Sequence, residues 1–251
     1  MGTVVSFDVR PRPDASASAV EALIDEACTG LHRADEVFSL WKPDSVASRL
    51  RRGELAEAAC PPDMAEVIDR CRRARQATDG WFDPWAAPGG FDPTGLVKGW
   101  ALQRAAAVLR GGPVAGAMVN GGGDIACLGE PEPGAPWLVG IQHTSAPGKV
   151  VRVLAVRDAA VATSGTYERG EHIYDPHSGV PVVASLLSAT VVGADLALAD
   201  AMATALFAAG DAGVDFVLRG GDSAFVVPRD VSRREAGSLP VVGGGARGQG
   251  A

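Results

Sequence analysis

The apolar positions of the chain follow two periods in turn. In "TVVSFDVR" they alternate as on a half-buried strand, and "PRPD" then breaks the run. Beyond it Val20, Leu23, Ile24, Ala27 and Leu31 recur three and four residues apart, the spacing of one helix face. "PPDMAEVIDRCRRARQA" predicts a second helix, with Asp63 as N-cap, Glu66 three residues later, and Met64, Val67, Ile68 and Cys71 as its stripe. "FDPTGLVKGWALQRAAAVLR" predicts a third, capped by Asp92, entered through Pro93 and ending near Arg110. The second half turns to strands: "GAMVN" and "DIACLG" flank three glycines, and "PWLVGIQ", "KVVRVLAV", "AAVATS" and "LLSATVV" follow at short intervals. One more helix, "ADLALADAMATALFAAG", a short helix "AGVDFVLR" and a strand "SAFVVP" complete the pattern. A helix-rich first half and a strand-rich second half predict an α+β fold, one domain over 1–228, with residues 229–251 a polar and then Gly-rich tail expected to be mobile.

Composition narrows the function without naming it. The 251 residues are 47% hydrophobic, enough for a sizeable core. A net charge of −7 with no basic cluster argues against nucleic acid or an anionic membrane as the main partner. Cys28, Cys60, Cys71 and Cys127 form no C-x-x-C pair and read as reduced thiols. The first residues carry neither a basic region nor an apolar one, and no stretch reads as a membrane span, so a cytoplasmic protein without membrane insertion is expected. The only G-x-G-x-x-G, Gly243 to Gly248, lies in the tail without a strand before it, and is a chance match.

Five stretches carry candidate chemistry, each with a plain structural reading beside it. "GWFDPWAAPGGFDPTGLVKG" repeats Phe-Asp-Pro, which fits either a packed loop or a flat ligand resting on Trp81 and Phe82, with Asp92 at a helix mouth. "VNGGGDI" holds the only asparagine, Asn120, in what is either a hairpin turn or a close backbone approach to a ligand. "VATSGTYERGEHIYDPHSGVP" gathers hydroxyls, a guanidinium and imidazoles, with His177 better read as an exposed loop residue than as a ligand. Trp41 in "FSLWKPDS" fits core or stacking platform. In the long apolar helix, Asp200 and Thr204 lie one turn apart on a narrow polar stripe; either Asp200 reaches water or it holds something positive.

In this order the five stretches resemble the FAD:protein FMN transferase family, the ApbE-like flavin transferases. The specific parts are "DPTGLVKGWA", "VNGGGDI", "TSGTYERGEHIYDPHSGVP" and "ADAMATALFAAG", and the likeness runs from the N-terminus to Gly210. The resemblance implies a fold related to the tandem T-fold and an enzyme that takes FAD, with Mg2+ or alternatively Mn2+, as donor of an FMN group. The acceptor is a Thr or Ser hydroxyl on the FMN-binding domain of another protein, and AMP leaves. At the matching positions Asp200 and Thr204 are metal ligands through their side chains and Gly95 through its carbonyl, the hard oxygen donors that Mg2+ prefers. Met1, Trp41, Trp81, Phe82, Asp83, Asp92 and Tyr174 match flavin contacts, and Lys98 and Asn120 fall in the matched stretches as further FAD-binding positions. Thr163, Ser164, Gly165, Thr166 and His172 would line the diphosphate. His172 is the first candidate for the base, since an unperturbed imidazole titrates at about pH 6.5, and Asp175 is the second. The chain departs from the family in a shorter loop between Asp83 and Asp92, in Ala203 where some members carry an acid, and in Tyr174 and His177 for the more usual Ile and Arg. The same site would also serve an FAD pyrophosphatase giving FMN and AMP, and a non-catalytic FAD-binding protein is the remaining alternative.

Overall fold

Three layers stack because the central sheet is apolar on both faces. The computed structural model describes residues 2–144, 146, 148–165, 173–182, 185–230 and 232–242. The chain runs β1 (Val5–Pro11), α1 (Ala17–Phe38), α2 (Val46–Arg51), α3 (Pro62–Ala77), α4 (Thr94–Val108), then β2 (Val114–Gly121), β3 (Asp124–Gly129), β4 (Trp137–Gln142), β5 (Val150–Val156), β6 (Ala160–Gly165) and β7 (Leu186–Gly193). It closes with α5 (Leu196–Ala209), α6 (Val214–Arg219), β8 (Ser223–Pro228) and β9 (Arg234–Ala236). β1-β2-β3-β6-β7-β8-β9 form one seven-stranded sheet, antiparallel throughout, while β4 and β5 pair separately.

Alternation along the strands sorts side chains between two cores. Ala126, Ala162, Ala189 and Val226 face the helices, where their small size lets α4 and α5 lie close to the sheet. Ile125, Cys127, Val161, Phe225 and Val227 face the other way and meet Trp137, Val139, Ile141 and Leu154 of the β4–β5 hairpin. Across the helix layer Phe38 of α1 meets Trp100 of α4 edge to face, their centroids 5.2 Å apart.

The helices begin where local chemistry satisfies their first N–H groups. Ser16 Oγ caps α1 by accepting from Ala19 N–H, and Asp195 Oδ1 caps α5 through Leu198 N–H at 3.0 Å. Gln103 Oε1 accepts from Leu196 N–H as well, tying the start of α5 to α4. Asp63 is not the cap of α3: Pro61 takes that position and Asp63 lies inside the first turn. α4 starts one residue later than expected, at Thr94, and ends at Val108; Asp92 still accepts from Thr94 N–H at 3.0 Å.

Two other expectations change. Part of the stretch after Arg229 is built into the fold: β9 extends the sheet on β8, and Val241 bridges to Leu154. Leu196–Arg219, 24 residues, is apolar enough by composition to cross a bilayer. It is interrupted at Gly210, whose φ is 65°, and most of α5 is buried between α4 and the sheet.

Candidate active site

The N-terminal half of α4, the middle of α5 and the end of β6 converge on one cleft, closed on the far side by the loop from Trp81 to Asp92. Its empty space is about 990 Å3, counting the part open to solvent. Of the residues singled out from the sequence, Trp81, Phe82, Asp83, Asp92, Gly95, Lys98, Thr163, Ser164, Gly165, Tyr174, Asp200 and Thr204 line it.

Close packing sets the helix side of the cleft. Gly99 lies directly under the start of α5, where a Cβ would come within 2.3 Å of the Leu196 carbonyl oxygen. This contact brings Asp200 against α4, and Gly99 N–H donates to Asp200 Oδ2 at 3.0 Å. One turn away, a Cβ at Gly95 would lie 3.3 Å from Thr204 Oγ1, so Gly95 and Thr204 are neighbours across the helix pair. Thr204 Oγ1 is also 3.4 Å from Ser164 Oγ at the end of β6.

Asp200 is 4% exposed and Asp124, at the start of β3, is wholly buried. Burial first, and then the neighbouring Asp124 charge, push the Asp200 carboxyl well above the usual carboxylate range. Asp124 is pushed up by burial too, opposed by Lys98, whose Nζ lies 2.9 Å from Asp124 Oδ2. Asp124 Oδ1 accepts from Thr163 N–H at 3.2 Å. Two carboxyls and one ammonium thus meet here: Asp124 and Asp200 are buried and interact with each other, and the partly buried Lys98 lies on the cleft side. The oxygen donors available there, a carboxylate, a hydroxyl and a backbone carbonyl, are those a hard divalent cation takes.

Polar ties set the loop side. Thr78 Oγ1 donates to the Ala74 carbonyl at the end of α3 and accepts from Phe82 N–H at 3.0 Å, fixing the aromatic run at its start. Arg75 Nε donates to Asp83 Oδ2 at 2.7 Å, and Asp83 Oδ1 accepts from Trp85 N–H. Arg51, in the last turn of α2, reaches the carbonyls of Pro88 and Gly89 and lies 3.5 Å from Asp92 Oδ2. Trp81 is backed by the His177 ring, edge on at 4.6 Å between centroids.

Several expected residues fall elsewhere. Trp41 does not line the cleft; it is 91% exposed in the turn after α1. Asn120 belongs to the β2–β3 hairpin, where its Oδ1 accepts from Gly123 N–H and both central residues, Gly122 and Gly123, have the positive φ that such two-residue turns need. It lines a neighbouring cavity with Ser6 and Gln142. Asp175 is unsuited to act as a base: its carboxylate accepts from Ser178 Oγ at 2.7 Å and from His177 N–H at 2.9 Å, and these bonds hold its carboxyl below the usual range. Met1, Thr166 and His172 lie outside the described residues. Two residues went unassigned from the sequence. Asp124 carried a signal, since a carboxylate two residues before Ala126 on a strand must share its core-facing side. Arg51, one of several arginines around 49–52, carried none.

Fold and site together define an α+β protein with an open cleft between two helices and an aromatic loop. The fold is shared with solved flavin transferases: the ApbE flavin transferase of Vibrio cholerae superposes with a TM-score of 0.80 at 21% identity, over 95% of this chain and 94% of that one. The ApbE protein of Thermotoga maritima gives 0.77 at 20%, over 93% and 97%. The sequence model of the ApbE family matches residues 1–89 and 86–225, and the chain belongs to that family. Among curated relatives, the FAD:protein FMN transferase of Escherichia coli K12 is 24% identical over 92% of this chain and 82% of its own length. That of V. cholerae is 32% identical over 48% of this chain. The matched regions span 39% of the V. cholerae relative and 57% of the Rhodobacter capsulatus one.

Proposed function

We propose that the chain is a Mg2+-dependent FAD:protein FMN transferase, which moves FMN from FAD to a Thr or Ser hydroxyl of an acceptor protein and releases AMP. One observation carries the reading: Gly95, Asp200 and Thr204 meet on two helices locked together by Gly99, directly facing the aromatic loop. The relatives bearing this activity in their names support it. The Asp200 carboxylate, the Thr204 hydroxyl and the Gly95 carbonyl would hold Mg2+, which when bound would supply charge neutralisation at the diphosphate.

The chain's own residues divide the remaining work. Trp81 and Phe82 give the flavin an apolar surface, and Ser164 and Thr163 offer polar groups to the diphosphate. The acceptor oxygen forms a bond to the flavin-side phosphorus as the bond to the AMP oxygen breaks, and its proton must leave. His172 takes that proton in this reading, because Asp175 is committed to its turn.

The test is incubation with FAD, Mg2+ and lysate of the source organism. The expected result is a covalently fluorescent band on a denaturing gel with AMP in solution, both lost when EDTA is added. FMN and AMP in equal amounts without a band would make the protein a pyrophosphatase. No turnover of FAD under any of these conditions would remove both readings.

A further inference from the structure

A groove adjoins the cleft between the start of β1, the β2–β3 turn and the β4–β5 hairpin. Ser6, Asn120 and Thr163 line it together with residues 139–142 of β4. Thr163, near the end of β6, borders the cleft as well, so the two spaces meet there. None of the described residues bordering the groove is ionisable. That is poor chemistry for the diphosphate-bearing part of a nucleotide, which calls for charged partners. Uncharged polar groups beside short apolar ones suit a neutral, extended chain.

Residues 139–142 border the groove in an unbroken run, so it is the backbone edge of β4, and not one of its faces, that meets it. Among the described residues β4 pairs with β5 alone. On β5, Ala155 N–H donates to the Pro240 carbonyl and the Val153 carbonyl accepts from Val242 N–H, so the backbone of both residues points away from β4. Leu138 and Gly140, their partners across the hairpin, therefore turn N–H and C=O outward along the free edge. A glycine at such a place lets another backbone come close. We propose that this edge receives the acceptor protein as one more extended strand, which pairs with Gly140 and carries the target hydroxyl past Thr163 to the cleft. The inference rests on the transferase reading, which supplies the need for an acceptor.

The probe is a synthetic peptide spanning the flavinylated Ser or Thr, its sequence read by mass spectrometry from the fluorescent band described above. With the target residue replaced by Ala, so that nothing turns over, the peptide should slow amide hydrogen exchange in residues 138–142 beyond the effect of FAD and Mg2+ alone. Ser6 is exposed on β1, on the face opposite the core-packed Val5, Phe7 and Val9. Ser6→Trp fills the groove from that wall, and the KM for the reactive peptide should rise at least about tenfold, a clash built against one partner only. The kcat at saturating peptide should change little, and the Kd for FAD should stay within about twofold of wild type. Gly140→Pro removes the outward N–H and no bond to β5, and it should raise the peptide KM about five- to tenfold.

An unchanged peptide KM in either folded variant overturns the inference. So does hydrogen exchange in residues 138–142 that the peptide leaves as it was. Loss of FAD binding in Ser6→Trp as large as the loss of peptide binding overturns it too, since the groove would then belong to the nucleotide. If thermal unfolding shows that Gly140→Pro does not fold, Ser6→Trp and the exchange measurement decide. A wild-type protein that gives no fluorescent band removes the transferase reading and this inference together, whereas a flavinylated peptide with unshifted variants removes this inference only.

Discussion

The two walls of the cleft are held by different physics. On the helix wall α4 and α5 touch backbone to backbone at Gly99, with Leu96, Trp100, Leu102, Met202 and Leu206 buried around the contact. On the loop wall the chain from Trp81 to Asp92 starts at the buried Thr78 and otherwise hangs on Arg51 and Arg75, whose bonds lie at the surface. Close packing fixes positions to a fraction of an ångström, while a few polar ties leave a loop able to adjust. The groups proposed for the cation, Gly95, Thr204 and Asp200, stand on the first wall, and the aromatic surface proposed for the flavin stands on the second. A site that needs accurate oxygen geometry and a tolerant apolar contact is well served by that division.

The largest effect should come from breaking the first wall. Ala is ordinarily better than Gly inside a helix by about 1 kcal/mol. Gly99→Ala should reverse that sign, because its methyl would meet the Leu196 carbonyl at 2.3 Å and push α5 away. We expect a loss of about 3 kcal/mol in urea unfolding, at the upper end for overpacking, and FAD turnover lost with it. A variant as stable as wild type would mean the wall is not rigid.

Next in size is the charge on that wall. Asp200→Asn keeps an acceptor for Gly99 N–H and removes a carboxyl whose ionised form burial and Asp124 disfavour, so the protein should melt no lower than wild type. Mg2+-dependent release of AMP should fall at least about a hundredfold. Undiminished release by this variant would remove Asp200 from the cation site.

The walls also differ in how far the sequence reveals them. Stripes such as Met64, Val67, Ile68 and Cys71 repeat with the helix period, and each is buried as that period requires. Asp200 and Thr204 stood out because polar residues one turn apart contradict an apolar helix. Asp124 was harder to see: its meaning depends on Lys98, 26 positions earlier in number and brought to it only by the packing of α4 on β3. The loop wall was legible as an aromatic run but not as a structure. Arg51 pins it from 38 residues away, and nothing local to Arg51 sets it apart from Arg49 or Arg52. Trp41 is a different case: the family match assigns it a flavin contact, whereas in the structure it is exposed and does not line the cleft. The edge strand β9 was hidden because three residues of "REA" have no alternation to read.

A smaller effect is expected from loosening the second wall. Arg51→Ala removes the donor to the Pro88 and Gly89 carbonyls and the charge beside Asp92, but no core contact. The KM for FAD should rise about five- to tenfold with kcat nearly unchanged, since an interaction of ~1 kcal/mol that only orders the binding surface acts on ground state and transition state alike. A fall in kcat at constant KM would show that the loop takes part in the chemical step, and the division between the walls would fail.

The smallest effect tests whether the first wall responds to pH at its base. Asp222 packs on Gly193, two residues before the Asp195 cap of α5, where a Cβ on Gly193 would be 2.3 Å from Asp222 Oδ1. Partial burial, and then the Asp195 charge, raise its carboxyl to about 6. A carboxyl whose pKa is higher in the folded state favours folding while protonated. That contribution is complete below the unfolded value of about 3.9 and is lost as pH rises through about 6. Water still reaches the group, so the loss between pH 5 and pH 8 should be no more than about 1 kcal/mol. Asp222→Asn cannot ionise. Its stability relative to wild type, from urea unfolding at both pH values, should therefore improve by that amount at pH 8 compared with pH 5. An equal difference at the two pH values would mean that α5 is anchored independently of this carboxyl, leaving close packing alone to hold the helix wall.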